Sequence, residues 1–293
     1  MNGIINIYKE KGFTSFDVVA KLRGILKTRK IGHTGTLDPD AEGVLPVCVG
    51  KATKICELLT DKTKEYEAVM LLGRTTDTQD VTGETLTQQE VRCSAKEVEK
   101  AVLSFAGDYM QVPPMYSALK VDGRKLCDLA RAGVTVERAA RPVHIFSIEI
   151  LSIELPRVRM RVCCSKGTYI RTLCQDVGEV LGCGACMSSL RRTKAGMFTL
   201  GQAITIEQLL AFAKGNDPQA LLMPVDALFA EFPPLIVELG QAEKLRNGAQ
   251  VKDWHFAPGT YRVYSITGEF LLLGKVENTV LTTIKSFFEV TKA

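Results

Sequence analysis

Histidine, tryptophan and long apolar runs are scarce in this chain, and each scarcity removes a class of function. Three histidines (His33, His144, His255) and no Gly-x-Ser-x-Gly elbow leave little support for a Ser-His-Asp hydrolase. Gly50-Lys51 lacks the following Ser or Thr and the glycine spacing of a phosphate loop. No apolar run approaches the roughly 20 residues of a membrane span. Met1-Asn2-Gly3-Ile4-Ile5-Asn6 lacks the basic-then-apolar pattern of a secretory leader, so the chain is expected to be cytoplasmic with no membrane partner. The nine cysteines show no disulfide rhythm, and a 293-residue chain that is 46% apolar needs no staples, so they read as reduced thiols. Cys183-Gly184-Ala185-Cys186 is a CxxC pair without a second one, so no metal is assigned to it.

A net charge of +4 says little about partners, but its distribution says more. Lys21, Arg23, Lys27, Arg29 and Lys30 form one island without acids. Arg157, Arg159, Arg161, Lys166 and Arg171 form another. Such islands suit a polyanion, since each neutralised phosphate releases counterions. The same residues would also serve as a solvated helix face and a solvent-facing strand edge.

The densest information lies in Gly32-His33-Thr34-Gly35-Thr36-Leu37-Asp38-Pro39-Asp40-Ala41-Glu42-Gly43-Val44-Leu45-Pro46, which holds three glycines, two prolines and three carboxylates. Glycine reaches backbone angles other residues avoid, and Pro39 pushes Asp38 towards an extended conformation. A loop of this kind fixes a carboxylate at the mouth of a sheet. An ordinary turn with solvated acids would have the same composition.

Around it, Ile4–Tyr8 reads as a strand. Ser15 or Asp17 can cap a helix carrying Val18, Val19, Leu22, Ile25 and Leu26. Val44–Val49 reads as a buried strand and Ala52–Leu59 as a short helix. Glu65–Leu72 reads as a strand with Tyr66, Ala68, Met70 and Leu72 on one face, followed by a polar loop over Thr75–Glu84. Ser94-Ala95-Lys96-Glu97 and Thr205-Ile206-Glu207-Gln208 are capping boxes. Tyr116–Val121 is strand-like, Asp122-Gly123 is a turn, and Arg124–Ala132 is a helix stopped by Gly133. Val143–Ile153 and Val158–Cys164 read as paired strands, with Ile170–Leu181 a helix that puts Arg171 in its first turn. Beyond Pro233-Pro234, Gln241–Arg246 is a short helix, and Tyr261–Ile266 and Glu269–Leu273 flank a hairpin turn at Thr267-Gly268. Strands and helices mix without a βαβ repeat, which indicates α+β with a mixed, largely antiparallel central sheet.

Several stretches, in order from about residue 3 to 230, resemble the TruB family of tRNA pseudouridine-55 synthases. Gly12-Phe13-Thr14-Ser15-Phe16-Asp17-Val18-Val19 resembles its opening motif, and Gly32–Pro46 its catalytic loop. Tyr66 with Leu72-Gly73-Arg74-Thr75-Thr76-Asp77-Thr78 resembles the second motif. Ser165-Lys166-Gly167-Thr168-Tyr169-Ile170-Arg171-Thr172-Leu173 resembles the third, followed by Leu190-Arg191-Arg192-Thr193. One departure is Lys9-Glu10, where the family usually has Lys-Pro. The resemblance implies a pseudouridine-synthase fold over residues 1–230, with an RNA-gripping insert at about 111–142, and a small β-rich PUA-type RNA-binding domain over 231–293. It implies isomerisation of uridine 55 in the tRNA T-loop, by a monomer without an obligate protein partner and without a cofactor. Asp38 would be the essential carboxylate, acting on the sugar carbon or on a ribose proton. Arg171 would pair with it and hold it ionised, Tyr66 would stack on the base, Leu190 would wall the pocket, and His33 would fill the stack left by flipped bases. Lys9, Lys120, Arg124 and Lys166 would contact RNA. The insert, with six basic and three acidic residues, favours a tRNA T-arm stem-loop. A non-catalytic RNA-binding or remodelling protein of the same fold, or a synthase for another RNA uridine, would share most of these features; Asp38 argues against the first.

Overall fold

The computed structural model describes residues 1–60, 62–252 and 255–288. Its centre is one mixed sheet. Along the main path the strands run β1 (Gly3–Lys9), β3 (Glu42–Val49), β12 (Ala185–Ala195), β4 (Lys64–Leu72), β11 (Arg157–Cys164), β10 (Arg141–Glu154) and β7 (Gly107–Gln111). β2 (Ile31–His33) and β13 (Phe198–Thr199) attach to β3 and β12. β12 lies parallel to β3 and antiparallel to β4, and the other pairings along the path are antiparallel. The expected largely antiparallel α+β sheet is therefore what forms.

β12 has no counterpart among the strands read from the sequence. Shifts of register at Met187/Ser189 and at Arg192/Lys194 break its alternation, so its buried residues do not fall on every second position. Smaller corrections concern element ends. The cap of α1 (Ser15–Ile25) is Thr14, whose hydroxyl accepts from the Asp17 amide while Asp17 receives the Thr14 amide. Ala52–Leu59 divides into a 3-10 turn, Gly50–Ile55, and α2 (Cys56–Thr60). The polar stretch after β4 contains a hairpin, β5 (Arg74–Thr76) and β6 (Thr85–Gln88). In the insert, the Asp122-Gly123 turn pairs β8 (Lys120–Val121) with β9 (Arg124–Lys125), so α4 (Leu126–Arg131) starts later than its composition suggests.

One face of the sheet is covered by α3 (Ala95–Leu103) and α5 (Ile170–Val180). Ala68, Met70, Leu72, Val158, Met160 and Val162 pack there with Val98, Val102, Leu173 and Val177. The other face carries Arg157, Arg159 and Arg161, the strand arginines of the second basic island. Glu67 receives Arg159 at 3.2 Å, Arg161 at 3.0 Å and Arg191 at 2.6 Å, and Arg161 also pairs with Glu149. These cations hold Glu67 well below the usual carboxylate range, at about 2. β11 is thus an interior strand with its charges largely answered within the sheet, neither an edge nor an open polyanion surface.

The C-terminal part forms a four-stranded sheet, β14 (Pro234–Val237), β15 (Gly259–Ser265), β16 (Phe270–Glu277) and β17 (Val280–Ser286). α6 (Ile206–Ala213) belongs to the preceding part, and α7 (Leu239–Arg246) packs on this sheet. β14 runs parallel to β15, and the other pairs are antiparallel. Among the described residues the sheet runs in the open order β14, β15, β16, β17. The expected unit's residues 253–254 and 289–293 lie outside the described ones. The unit is not cleanly separate, because Phe270, Leu273 and Phe287 share a core cluster with Ile4, Val44, Ala52, Ile55, Val225 and Phe229. Cutting near residue 228 would expose that cluster.

Candidate active site

The opening motif and the catalytic-type loop are two halves of one object. β1 ends at Lys9 opposite Gly43 of β3, which brings Gly12–Ser15 beside residues 35–41. The Gly12 amide donates to Pro39 O at 2.9 Å, and Ser15 Oγ receives the Leu37 amide at 2.8 Å. The Ala41 amide turns back to Asp38 O, and Thr34 donates to Pro46 O through both its amide and hydroxyl. The loop is therefore held at its middle and at both ends.

Two buried cations complete that hold. Lys9 is fully buried, and its ammonium donates to Phe13 O at 2.6 Å, Pro39 O at 3.0 Å and Glu10 O at 3.1 Å. Burial pushes its pKa down to about 8. This corrects its assignment to RNA contact: the amine is turned inward, beneath the loop. Arg192 is also buried, donating to Val44 O at 2.7 Å, Gly35 O at 3.3 Å and Thr36 O at 3.4 Å. It can do so because Gly43 comes so close to the Arg192 backbone that an added Cβ would meet its carbonyl oxygen at 2.2 Å. Nothing in the Leu190-Arg191-Arg192-Thr193 stretch itself distinguishes Arg192 from its neighbour Arg191, so its task becomes visible only in the fold.

Asp38 opens into a cleft of about 630 Å³, within the roughly 300–1,000 Å³ range usual for ligand sites. Arg171 meets it side-on, with Nε 3.0 Å from Oδ2 and Nη2 3.3 Å from Oδ1. The guanidinium is itself fixed by Thr78 O at 2.9 Å and Tyr116 O at 2.8 Å, and Asp80 lies 3.9 Å away. Its helix is seated by Gln111, whose amide side chain brackets the backbone of the N-cap residue, Tyr169. Arg171 is 5% exposed, while 38% of the Asp38 side chain still faces the open cleft.

The electrostatics of the pair pull in two directions. Arg171 pulls the Asp38 pKa down, but desolvation by the cleft walls outweighs it and Asp80 adds to the rise. The Asp38 carboxyl therefore titrates above its ordinary range. Asp80 was missed because it sits in a polar turn with no distinguishing pattern; it becomes visible only when that turn is folded against Arg171.

Tyr66 and Leu190 both line the cleft, on neighbouring strands β4 and β12. Burial pushes the Tyr66 phenol above its usual range, and Arg192 pulls against that. Lys166, Thr168 and Tyr169 line the cleft as well. From the insert, Tyr116, Ser117, Ala118, Cys127 and Arg131 reach the cleft. Lys120 and Arg124 do not line it; they are exposed on the β8–β9 hairpin beyond it. His33 also stands outside the lining, half-buried at the start of the loop, where its Nδ1 accepts from the Gly35 amide. Burial and Arg192 lower its pKa, which favours the neutral ring.

Residues 23–170 match the family described as TruB family pseudouridylate synthase (N terminal domain), and residues 171–230 match the tRNA pseudouridylate synthase B C-terminal domain. The chain is 55% identical over 264 residues to tRNA pseudouridine synthase B of Lachnoclostridium phytofermentans, covering 87% of this chain and 86% of that one. It is 45% identical over 290 residues to the protein of that name in Clostridium acetobutylicum, covering 97% and 99%. Among solved structures it resembles a chain of a Cbf5-Nop10-Gar1 complex, with TM-score 0.71, 29% identity, and coverage of 98% and 85%. An H/ACA RNP bound to a substrate RNA containing 2'-deoxyuridine gives TM-score 0.70 at 26% identity, again covering 98% and 85%.

Proposed function

This chain belongs to the TruB family of pseudouridylate synthases, and we propose that it converts uridine 55 in the T-loop of tRNA to pseudouridine with Asp38 as its essential carboxylate. The observation that carries this reading is the side-on Arg171–Asp38 pair, set in a cleft lined also by Tyr66, Leu190 and residues of the basic insert.

The reaction breaks the bond from ribose C1′ to N1 of the base and forms one from C1′ to C5. The hydrogen on C5 is lost to solvent and N1 gains one, so the product is an isomer. Neither atom is reachable in a stacked RNA, so the nucleotide must be flipped into the cleft. Tyr66 offers a ring for the flipped base to stack on, and Leu190 an apolar wall that excludes water. Asp38 meets the ribose, and Arg171 fixes the direction of its carboxylate. Lys166 and Arg131, which also line the cleft, would meet the phosphate backbone. His33, neutral and at the edge of the loop, suits an apolar role in filling the vacated stack. Residues 1–230 make up this catalytic unit, with residues 231–293 as a second RNA contact of PUA type.

The test is to incubate the protein with an unmodified tRNA transcript and map pseudouridine along it. The expected result is modification at position 55 alone. Modification at another uridine would replace the target, and tight binding with no modification would favour an RNA-binding protein of the same fold.

A further inference from the structure

The CxxC motif has no place in the isomerisation, and the fold separates its two cysteines. Cys186 lies in β12 opposite Leu71 and is fully buried. Cys183 lies in the preceding turn, between Gly182 and Gly184, both at positive φ. There its thiol, which donates to Gly184 O, faces the same cleft as Cys93 from the connector between β6 and α3, near enough for the two thiols to interact. A second thiol pair, Cys48 with Cys56, also exists, but Cys48 has no exposed surface. Cys93 and Cys183 by contrast both line a surface cleft of about 340 Å³, with Gln89, Glu90, Arg92 and Leu181.

We propose that Cys93 and Cys183 form a reversible oxidation site, which takes up a disulfide bond by exchange with a low-molecular-weight disulfide entering that cleft. The balance is complete without another reactant. The thiolate of Cys93, the more exposed of the two, attacks one sulfur of the small disulfide and releases one small thiol. The Cys183 thiolate then attacks the mixed disulfide, forms the Cys93–Cys183 bond and releases the second small thiol. Two protein thiols are oxidised and one small disulfide is reduced.

The place of the bond gives it a consequence. The Gly73 amide donates to Gly184 O and the Gln89 amide to Gly73 O, both at 2.8 Å, which closes the root of the β5–β6 hairpin against the turn holding Cys183. A disulfide would fasten that same root covalently. The hairpin's other end carries Thr78 and Asp80 at Arg171, and no bond there needs to change. Bringing the two sulfurs of this cleft to about 2.05 Å requires a movement of the chain, and Cys93 lies in a segment without helix or strand that can supply it. Oxidation is therefore expected to stabilise the fold while leaving isomerisation intact.

The experiment incubates the full chain with oxidised glutathione, maps disulfides by mass spectrometry of unreduced peptides, and records thermal unfolding. The expected result is one link joining the peptides of Cys93 and Cys183, reversed by dithiothreitol, with the unfolding midpoint raised by roughly 5–10 °C. Cys93→Ser and Cys183→Ser should each remove both the link and the shift. The half-exposed Cys93 position tolerates serine even if the buried one does not. A Cys48–Cys56 link, glutathione left as a stable mixed disulfide on Cys93, or an equal shift in Cys93→Ser would each overturn the proposal.

Discussion

Replacing Arg171 by Met removes a cation that touches three separate parts of the site. Its two contacts to Asp38, at 3.0 and 3.3 Å, are charge-assisted and set the carboxylate's direction. Unit charges about 4 Å apart at an effective dielectric near 20 interact by about 4 kcal/mol. A cation this close ordinarily lowers a carboxylate pKa by roughly 1–3 units. Asp38 already titrates above its usual range with Arg171 in place, so without it the carboxyl should rise further. The protonated fraction of Asp38 at a given pH would then be larger than in the parent. A misdirected carboxylate costs a further factor of about 10². The expected loss at pH 7 is roughly two to three orders of magnitude in single-turnover rate. The assay is tritium release from tRNA labelled at uridine C5, run across pH, with the acidic limb of kcat/KM moving to higher pH. Arg171→Lys separates the two effects: it keeps the charge and so the limb, but loses the two-pronged contact and so much of the rate. Circular dichroism would check that the carbonyls of Thr78 and Tyr116, left without their donor, have not unfolded the site. A Met variant within tenfold of the parent, with an unmoved limb, would refute the reasoning.

Asp80→Asn removes the charge that raises Asp38, so the acidic limb should move to lower pH; a limb moving up would show that Asp80 acts mainly by holding Arg171. Lys9→Met should lower thermal stability and turnover while leaving tRNA affinity and its salt dependence unchanged, because the amine is bonded to three loop carbonyls. A weaker salt slope in that variant would return Lys9 to the RNA surface. Lys166→Ala and Arg131→Ala should each reduce the slope of log affinity against log salt by about 1. Arg159→Ala should leave it unchanged, since that side chain pairs with Glu67 on the sheet face away from the cleft.

Much of the site was legible because its constraints are local. Glycines, prolines and carboxylates crowded into residues 32–46 announce a shaped loop before any contact is known. Two of the capping boxes name their helices outright, at Ser94 and Thr205. The failures share a cause, which is that side-chain direction is set by distant strands. β12 hides because its register shifts scramble the alternation a strand is recognised by. Lys9 reads as a surface lysine until β1 is paired with β3 and the loop is folded over it. Arg157–Arg161 read as a polyanion surface until β4 places Glu67 among them. The sign of the Asp38 shift needs the cleft walls, which come from stretches scattered between Thr14 and Arg192 and have no sequence pattern of their own.

The claim on which the account rests is that one carboxylate carries the isomerisation while other residues carry the binding. Asp38→Asn keeps the shape of the side chain and removes only its charge. The measurement is single-turnover tritium release on pre-bound tRNA, with affinity measured on the same preparation. The account predicts no detectable turnover and an affinity close to that of the parent, since phosphate contacts supply most of the binding. Turnover within tenfold of the parent, on tRNA bound equally well, would contradict it.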